Sequence, residues 1–143
     1  MVRPFVVFPD NRNRSLDVVG ERITVLASHA LTQGYELFLQ EGPEGSGPVP
    51  HTHPWDESFY VIRGEIQFAV EAQEMTAVPG TLVHVPAGTA HWFRFGKDGG
   101  QMLSVTGVGS RASSMFADID AVGSRDVEQL RRPRRPQLEQ QDH

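Results

Sequence analysis

Short apolar runs of four to eight residues, each closed by glycine, proline or polar residues, recur along the chain with no long helical period between them. Residues 2–8, 21–27, 34–41, 57–63, 65–70, 81–85, 91–95 and 101–108 each predict a strand, the second of them (ERITVLA) by clean alternation of polar and apolar positions. Gly64, between two of these runs, predicts a tight hairpin. Regularly spaced short strands of this kind predict an all-β fold, an antiparallel sandwich or barrel. After Ser110 the pattern changes. Residues 113–119 (SSMFADI) predict a short helix capped by serine, and residues 126–132 (DVEQLRR) a second one ending in arginines, both packed outside the sheet. From Pro133 onward PRRPQLEQQDH has almost no apolar residues, so a poorly ordered tail is expected. The resulting division is a β domain over residues 1–122 and a helix and tail over 123–143.

A length of 143 residues supports one core and not two. The formal net charge of −5, without a basic stripe in the body, argues against nucleic acid or an anionic membrane as partner and favours a small molecule. Arg131, Arg132, Arg134 and Arg135 form a basic cluster, but Glu128, Glu139 and Asp142 dilute it, which reads as a solvated tail. With no cysteine, disulfides and thiolate metal sites are excluded, and a metal would have to be held by imidazole and carboxylate. No apolar run approaches 18 residues and the first fourteen residues lack a secretory h-region, so a soluble, cytoplasmic protein is expected.

The chemistry concentrates in residues 45–64, GSGPVPHTHPWDESFYVIRG. Pro48, Pro50 and Pro54 exclude a helix around His51 and His53, and in an extended chain two residues spaced by one point the same way. Glu57 opens the following strand, with Phe59 and Val61 on its face, and His91 lies downstream. His51, His53, Glu57 and His91 together suit one borderline divalent ion, iron, manganese, nickel, copper or zinc, with positions left open for substrate. The spacing Gly, five residues, His-x-His, three residues, Glu, six residues, Gly arises by chance on the order of 10⁻⁷ per starting position. A second segment, Gly80, five residues, Pro86, Ala87, Gly88, two residues, His91, makes coincidence still less tenable.

These two segments resemble the paired signature motifs of the cupin superfamily, the first at every defining position. The resemblance covers the central half of the chain. It implies a small antiparallel β-barrel of jelly-roll type in which His51, His53, Glu57 and His91 are the metal ligands. Phe95 stands where the second motif often has asparagine, and Thr81 where it often has an acid, which implies a more apolar cavity floor without touching the ligands. The flanks, GYELFLQE and SSMFADID, look most like small quercetin-dioxygenase-like cupins.

Other polar residues rank below these. Alternation sends Asp56 to the face opposite Glu57, and His84 reads as a satisfied strand histidine with an acid–base role as the alternative. His29 and His143 read as solvated, Tyr60 and Trp92 as pointing away from the metal, and Trp55 as a packing or interface residue. The resemblance implies a metal-dependent dioxygenase acting on a phenolic or enolic small molecule, with Glu57 as catalytic base. A non-redox isomerase, cyclase or lyase using the ion as Lewis acid is the second reading, and a small-ligand-binding module the third. A homodimer is expected, with residues 2–8 as an edge strand that must be paired or covered.

Overall fold

The computed structural model describes residues 2–123 as seven strands and two helices: β1 (Leu16–Val18), β2 (Glu21–Ala27), α1 (His29–Thr32), β3 (Glu36–Gly42), β4 (Glu57–Val70), β5 (Gln73–Ala77), β6 (Leu82–Val85), β7 (His91–Thr106) and α2 (Ala112–Val122). Every pairing is antiparallel, in the order β1-β2-β3-β7-β4-β5, with β6 also on β4. This is the jelly-roll arrangement, although the ladder does not close into a ring among the described residues.

Two long bent strands produce the two layers. Residues 57–64 of β4 face residues 100–106 of β7, and beyond a bulge residues 66–70 face residues 91–95. The predicted hairpin at Gly64 is therefore corrected: the two runs flanking it are halves of one strand, as are 91–95 and 101–106, the second run ending at Thr106 and not at Val108. Gly64 has φ +76°, and a Cβ there would overlap the Gly99 carbonyl oxygen. Only glycine lets the two strands cross this closely at the corner. Gly64→Ala is expected to cost about 2 kcal/mol and to lower the melting temperature by roughly 8 °C. An unchanged calorimetric transition would show that the corner tolerates a side chain.

Residues 2–8 are not a strand. No strand among the described residues pairs with them, Pro4 and Pro9 withhold donors, and Phe5, Val6 and Phe8 are exposed ahead of a 3₁₀ turn at Pro9–Asn11. Two strands escaped the pattern because little in them alternates: β1 is three residues long, and β5 (QEMTA) buries only Ala77. The helix predicted over residues 126–132 and the tail from Pro133 lie outside the described residues.

Side chains fill two clusters. Phe59, Val61, Ile66, Phe68, Phe93 and Phe95 lead the larger one between the layers. The smaller one, with Val18, Ile23, Phe38, Trp55 and Phe116, seats α2 against the first three strands; the rings of Phe38 and Phe116 meet edge to face at 5.1 Å.

Glu36 fixes the start of that helix. The N-cap residue Arg111 offers no side-chain cap, and the buried Glu36 carboxylate reaches across from β3 instead. It accepts hydrogen bonds from Ser110 Oγ at 2.8 Å, the Ser113 amide at 3.0 Å, the His29 amide at 3.0 Å and the Ser113 hydroxyl. The far end is held where Asp120 accepts from the Asp17 amide at 2.8 Å and from Arg14 at 2.7 Å.

Candidate metal centre

The extended segment imposed by the prolines docks onto the start of β7. His51 and His91 exchange both backbone hydrogen bonds, at 3.1 and 3.0 Å, and the His53 carbonyl accepts from the Gly88 amide at 2.9 Å. A Cβ at Gly47 would overlap the Phe93 carbonyl oxygen, so glycine is what allows this segment to lie so close to β7. Asp56 points away from the site, as alternation predicts. Its carboxylate accepts from the Ala87 amide at 2.9 Å and so ties the turn before His91 to the first motif.

Three imidazoles converge as a result. One ring nitrogen from each of His51, His53 and His91 lies within 4.8 Å of the other two. The Nδ1 atoms face backbone carbonyls: Val49 at 2.8 Å from His51, Trp55 at 2.9 Å from His53 and Thr89 at 2.9 Å from His91. A carbonyl only accepts, so each Nδ1 is the donor, and each neutral ring presents the Nε2 lone pair. His91 Nε2 is buried and has no hydrogen-bond partner among the described residues. Three imidazoles locked in the same tautomer by carbonyls, one of them with an orphaned acceptor, are the arrangement that orients histidine for a metal ion.

Glu57 completes the cluster. Its Oε1 stands 2.9 Å from His53 Nε2 and 3.8 Å from His91 Nε2. Burial pushes its carboxyl up, but the hydrogen bond with His53 and the nearby His91 imidazole outweigh this and hold it below the usual carboxylate range. Burial likewise presses His53 down, and Glu57 more than reverses it, so His53 titrates above ordinary imidazole. Burial dominates for His51, which is lowered. A carboxylate oxygen and an imidazole lone pair 2.9 Å apart require a cation or a proton between them, and a borderline divalent ion fits this donor set.

Beside the cluster lies a cavity of about 290 Å³, near the lower end for small-molecule sites. His51, His53 and Glu57 form one wall, and α2 contributes Met115, Phe116 and Ile119 to it. Phe59, Val61 and Phe93 share the inward face with Glu57 and His91, as the two-residue period requires. Trp55 is buried and stacks on His53, with ring centroids 4.8 Å apart and planes 9° from parallel.

The remaining residues fall outside. His84 lies on the outer face and bonds Ser58 Oγ at 2.8 Å, the satisfied strand histidine. Tyr60 is exposed, and Trp92 carries the Arg94 guanidinium 5.5 Å above its ring. Two cavity residues were missed, Glu21 and Gln40. The signal was present: each is a polar residue in the inward phase of its strand, in step with Ile23 and Phe38.

Comparison with known proteins agrees with this fold. A family model described as a cupin domain matches residues 38–106. Quercetin 2,3-dioxygenase of Bacillus subtilis (strain 168) is 30% identical over 105 residues, covering 71% of this chain and 31% of that protein. Acireductone dioxygenase 1 of Pectobacterium atrosepticum is 36% identical over 80 residues, 52% of this chain and 41% of that protein. The chain thus spans 31% and 41% of the length of these two relatives. Among solved structures, an RmlC-like cupin from Shewanella frigidimarina superposes with a TM-score of 0.68 at 16% identity, covering 78% of this chain and 96% of that one.

Proposed function

We propose that this chain, which belongs to the cupin superfamily, is a metal-dependent dioxygenase that holds one divalent ion through His51, His53, Glu57 and His91 and acts on a small phenolic or enolic molecule. The observation that carries the reading is the shared tautomer: three Nδ1 donors tied to carbonyls leave three Nε2 lone pairs facing one point beside a buried carboxylate. When bound, iron, manganese, nickel or copper supplies Lewis acidity toward an enolate or phenolate oxygen and redox chemistry with dioxygen. Both relatives named above are dioxygenases, which favours that chemistry over isomerisation or a lyase reaction.

The chain's own residues have defined tasks. With His51, His53 and His91 holding the ion, the buried Glu57 carboxylate, kept below the usual carboxylate range, would accept the proton of the substrate hydroxyl. Phe93, Met115 and Phe116 exclude water and orient a flat ligand. The test is oxygen uptake with flavonols and β-diketones by protein whose metal content has been measured. Uptake that stops on chelation and returns with one of these ions supports the reading. Conversion that continues unchanged without oxygen overturns it in favour of Lewis-acid chemistry.

The same reading includes a homodimer. Tyr60, Ile62, Leu82 and Val105 are exposed on the outer face of β4, β6 and β7, where Tyr60 faces Leu82 across the ladder. They offer an apolar surface suited to a second copy.

A further inference from the structure

We propose that Glu21 and Gln40 are the specificity-determining pair of the cavity, reading a ligand hydroxyl remote from the metal centre and restricting the site to uncharged, hydroxylated aromatic molecules. The inference rests on the function proposed above and deepens it by naming the class of substrate and the residues that select it.

Both side chains line the cavity that holds His51, His53 and Glu57, and both are almost fully buried, Glu21 with 5% and Gln40 with 3% of its surface exposed. Their Oε1 atoms are each buried without a hydrogen-bond partner among the described residues. The register Arg22–Glu41 and Ile23–Gln40 makes Glu21 and Gln40 diagonal neighbours on one face of adjacent strands, close enough to share a single ligand atom. A buried polar group without a partner is costly, and two on neighbouring positions of an otherwise apolar wall call for a polar atom supplied from the cavity.

The type of that atom follows from the chemistry. Gln40 Oε1 can only accept, so the ligand must donate, as a hydroxyl does. Burial, reinforced by the charge of Glu57, pushes the Glu21 carboxyl up to about 8, so at neutral pH it is protonated and able to donate. One hydroxyl then accepts from Glu21 while donating to Gln40. No lysine or arginine is among the described residues lining the cavity, so an anionic group on the part of the ligand remote from the ion would lie against Glu21 and Gln40 without a counter-charge. What remains is a neutral molecule with an apolar body lying along Phe93, Met115 and Phe116.

The test compares two probes by intrinsic-fluorescence titration without oxygen: quercetin, which carries ring hydroxyls besides its chelating group, and 3-hydroxyflavone, which lacks them. Wild-type protein is expected to bind quercetin at least about tenfold more tightly, the factor one buried hydrogen bond supplies. Glu21→Leu and Gln40→Leu are expected to remove most of that preference while changing 3-hydroxyflavone affinity less than twofold, with melting temperatures as controls for folding. Equal affinity of the wild-type protein for both probes, binding of neither, or an equal loss for both probes in folded variants overturns the assignment. Because binding is read without turnover, failure of the oxygenase reading shows separately, as discrimination between the probes without oxygen uptake.

Discussion

His91→Ala is expected to lower affinity for a divalent metal by more than about 100-fold, beyond the range seen when only a residue supporting a ligand is lost. His91 is 2% exposed, its Nδ1 is committed to the Thr89 carbonyl, and its Nε2 faces the other two imidazoles with nothing else to bond. Removing it takes away one corner of the donor set and leaves the other three groups in place. The backbone exchange between residues 51 and 91 survives the substitution, because it uses main-chain atoms only. Isothermal titration with manganese and zinc, alongside elemental content of the purified variant, measures the effect. Retention of one ion per chain with wild-type affinity would remove His91 from the site. Loading also requires the Nε2 atoms to be free of protons. His53, raised by Glu57, is therefore expected to stay protonated to higher pH than His51 in the metal-free protein, and metal affinity to fall as pH drops through that range.

Glu36→Ala is expected to destabilise the fold by about 3 kcal/mol, a drop of roughly 10 °C in melting temperature. The carboxylate is 1% exposed and collects donors from residues 29, 110 and 113, so its loss strands several of them at once and frees the first turn of α2. Since α2 supplies Met115, Phe116 and Ile119 to the cavity wall, ligand affinity should fall in the same variant while the histidine cluster keeps its ion. The pH dependence has a definite sign. Burial raises the Glu36 carboxyl, but the hydrogen bonds from Ser113, His29 and Ser110 prevail and hold it below its unfolded value. Its contribution is therefore complete above the ordinary glutamate range and is lost as pH falls through the depressed folded value. Urea midpoints across the acid range should decline for the wild-type protein more steeply than for the variant. Parallel curves would mean that Glu36 does not carry the coupling.

The success of the motif reading and its failures share a physical origin. His51 and His53 are legible because three nearby prolines leave one backbone conformation, and an extended backbone fixes side-chain direction with a period of two. Glu57 with Phe59 and Val61, and His91 with Phe93 and Phe95, follow the same period, so the inward faces of both long strands could be written down before any pairing was known. Gly64 misled because a glycine with positive φ serves equally well in a hairpin and at a strand corner, and only the partner strand distinguishes them. Residues 2–8 misled because strand propensity is realised only against a neighbouring edge.

By itself, then, the sequence determined the β class, the ligand set of His51, His53, Glu57 and His91 as an expectation, and the seat of that expectation in two motifs, because spacing and period act through the local backbone. The tertiary structure decided the rest. It brought residue 51 beside residue 91, turned three Nδ1 atoms onto carbonyls and, through Glu36, set α2 in place as part of the cavity wall. It also placed Glu21 and Gln40, unremarkable in their strands, with buried oxygens lacking any partner among the described residues. Such contacts join positions far apart in the chain, and their energy depends on burial and register that no local pattern encodes.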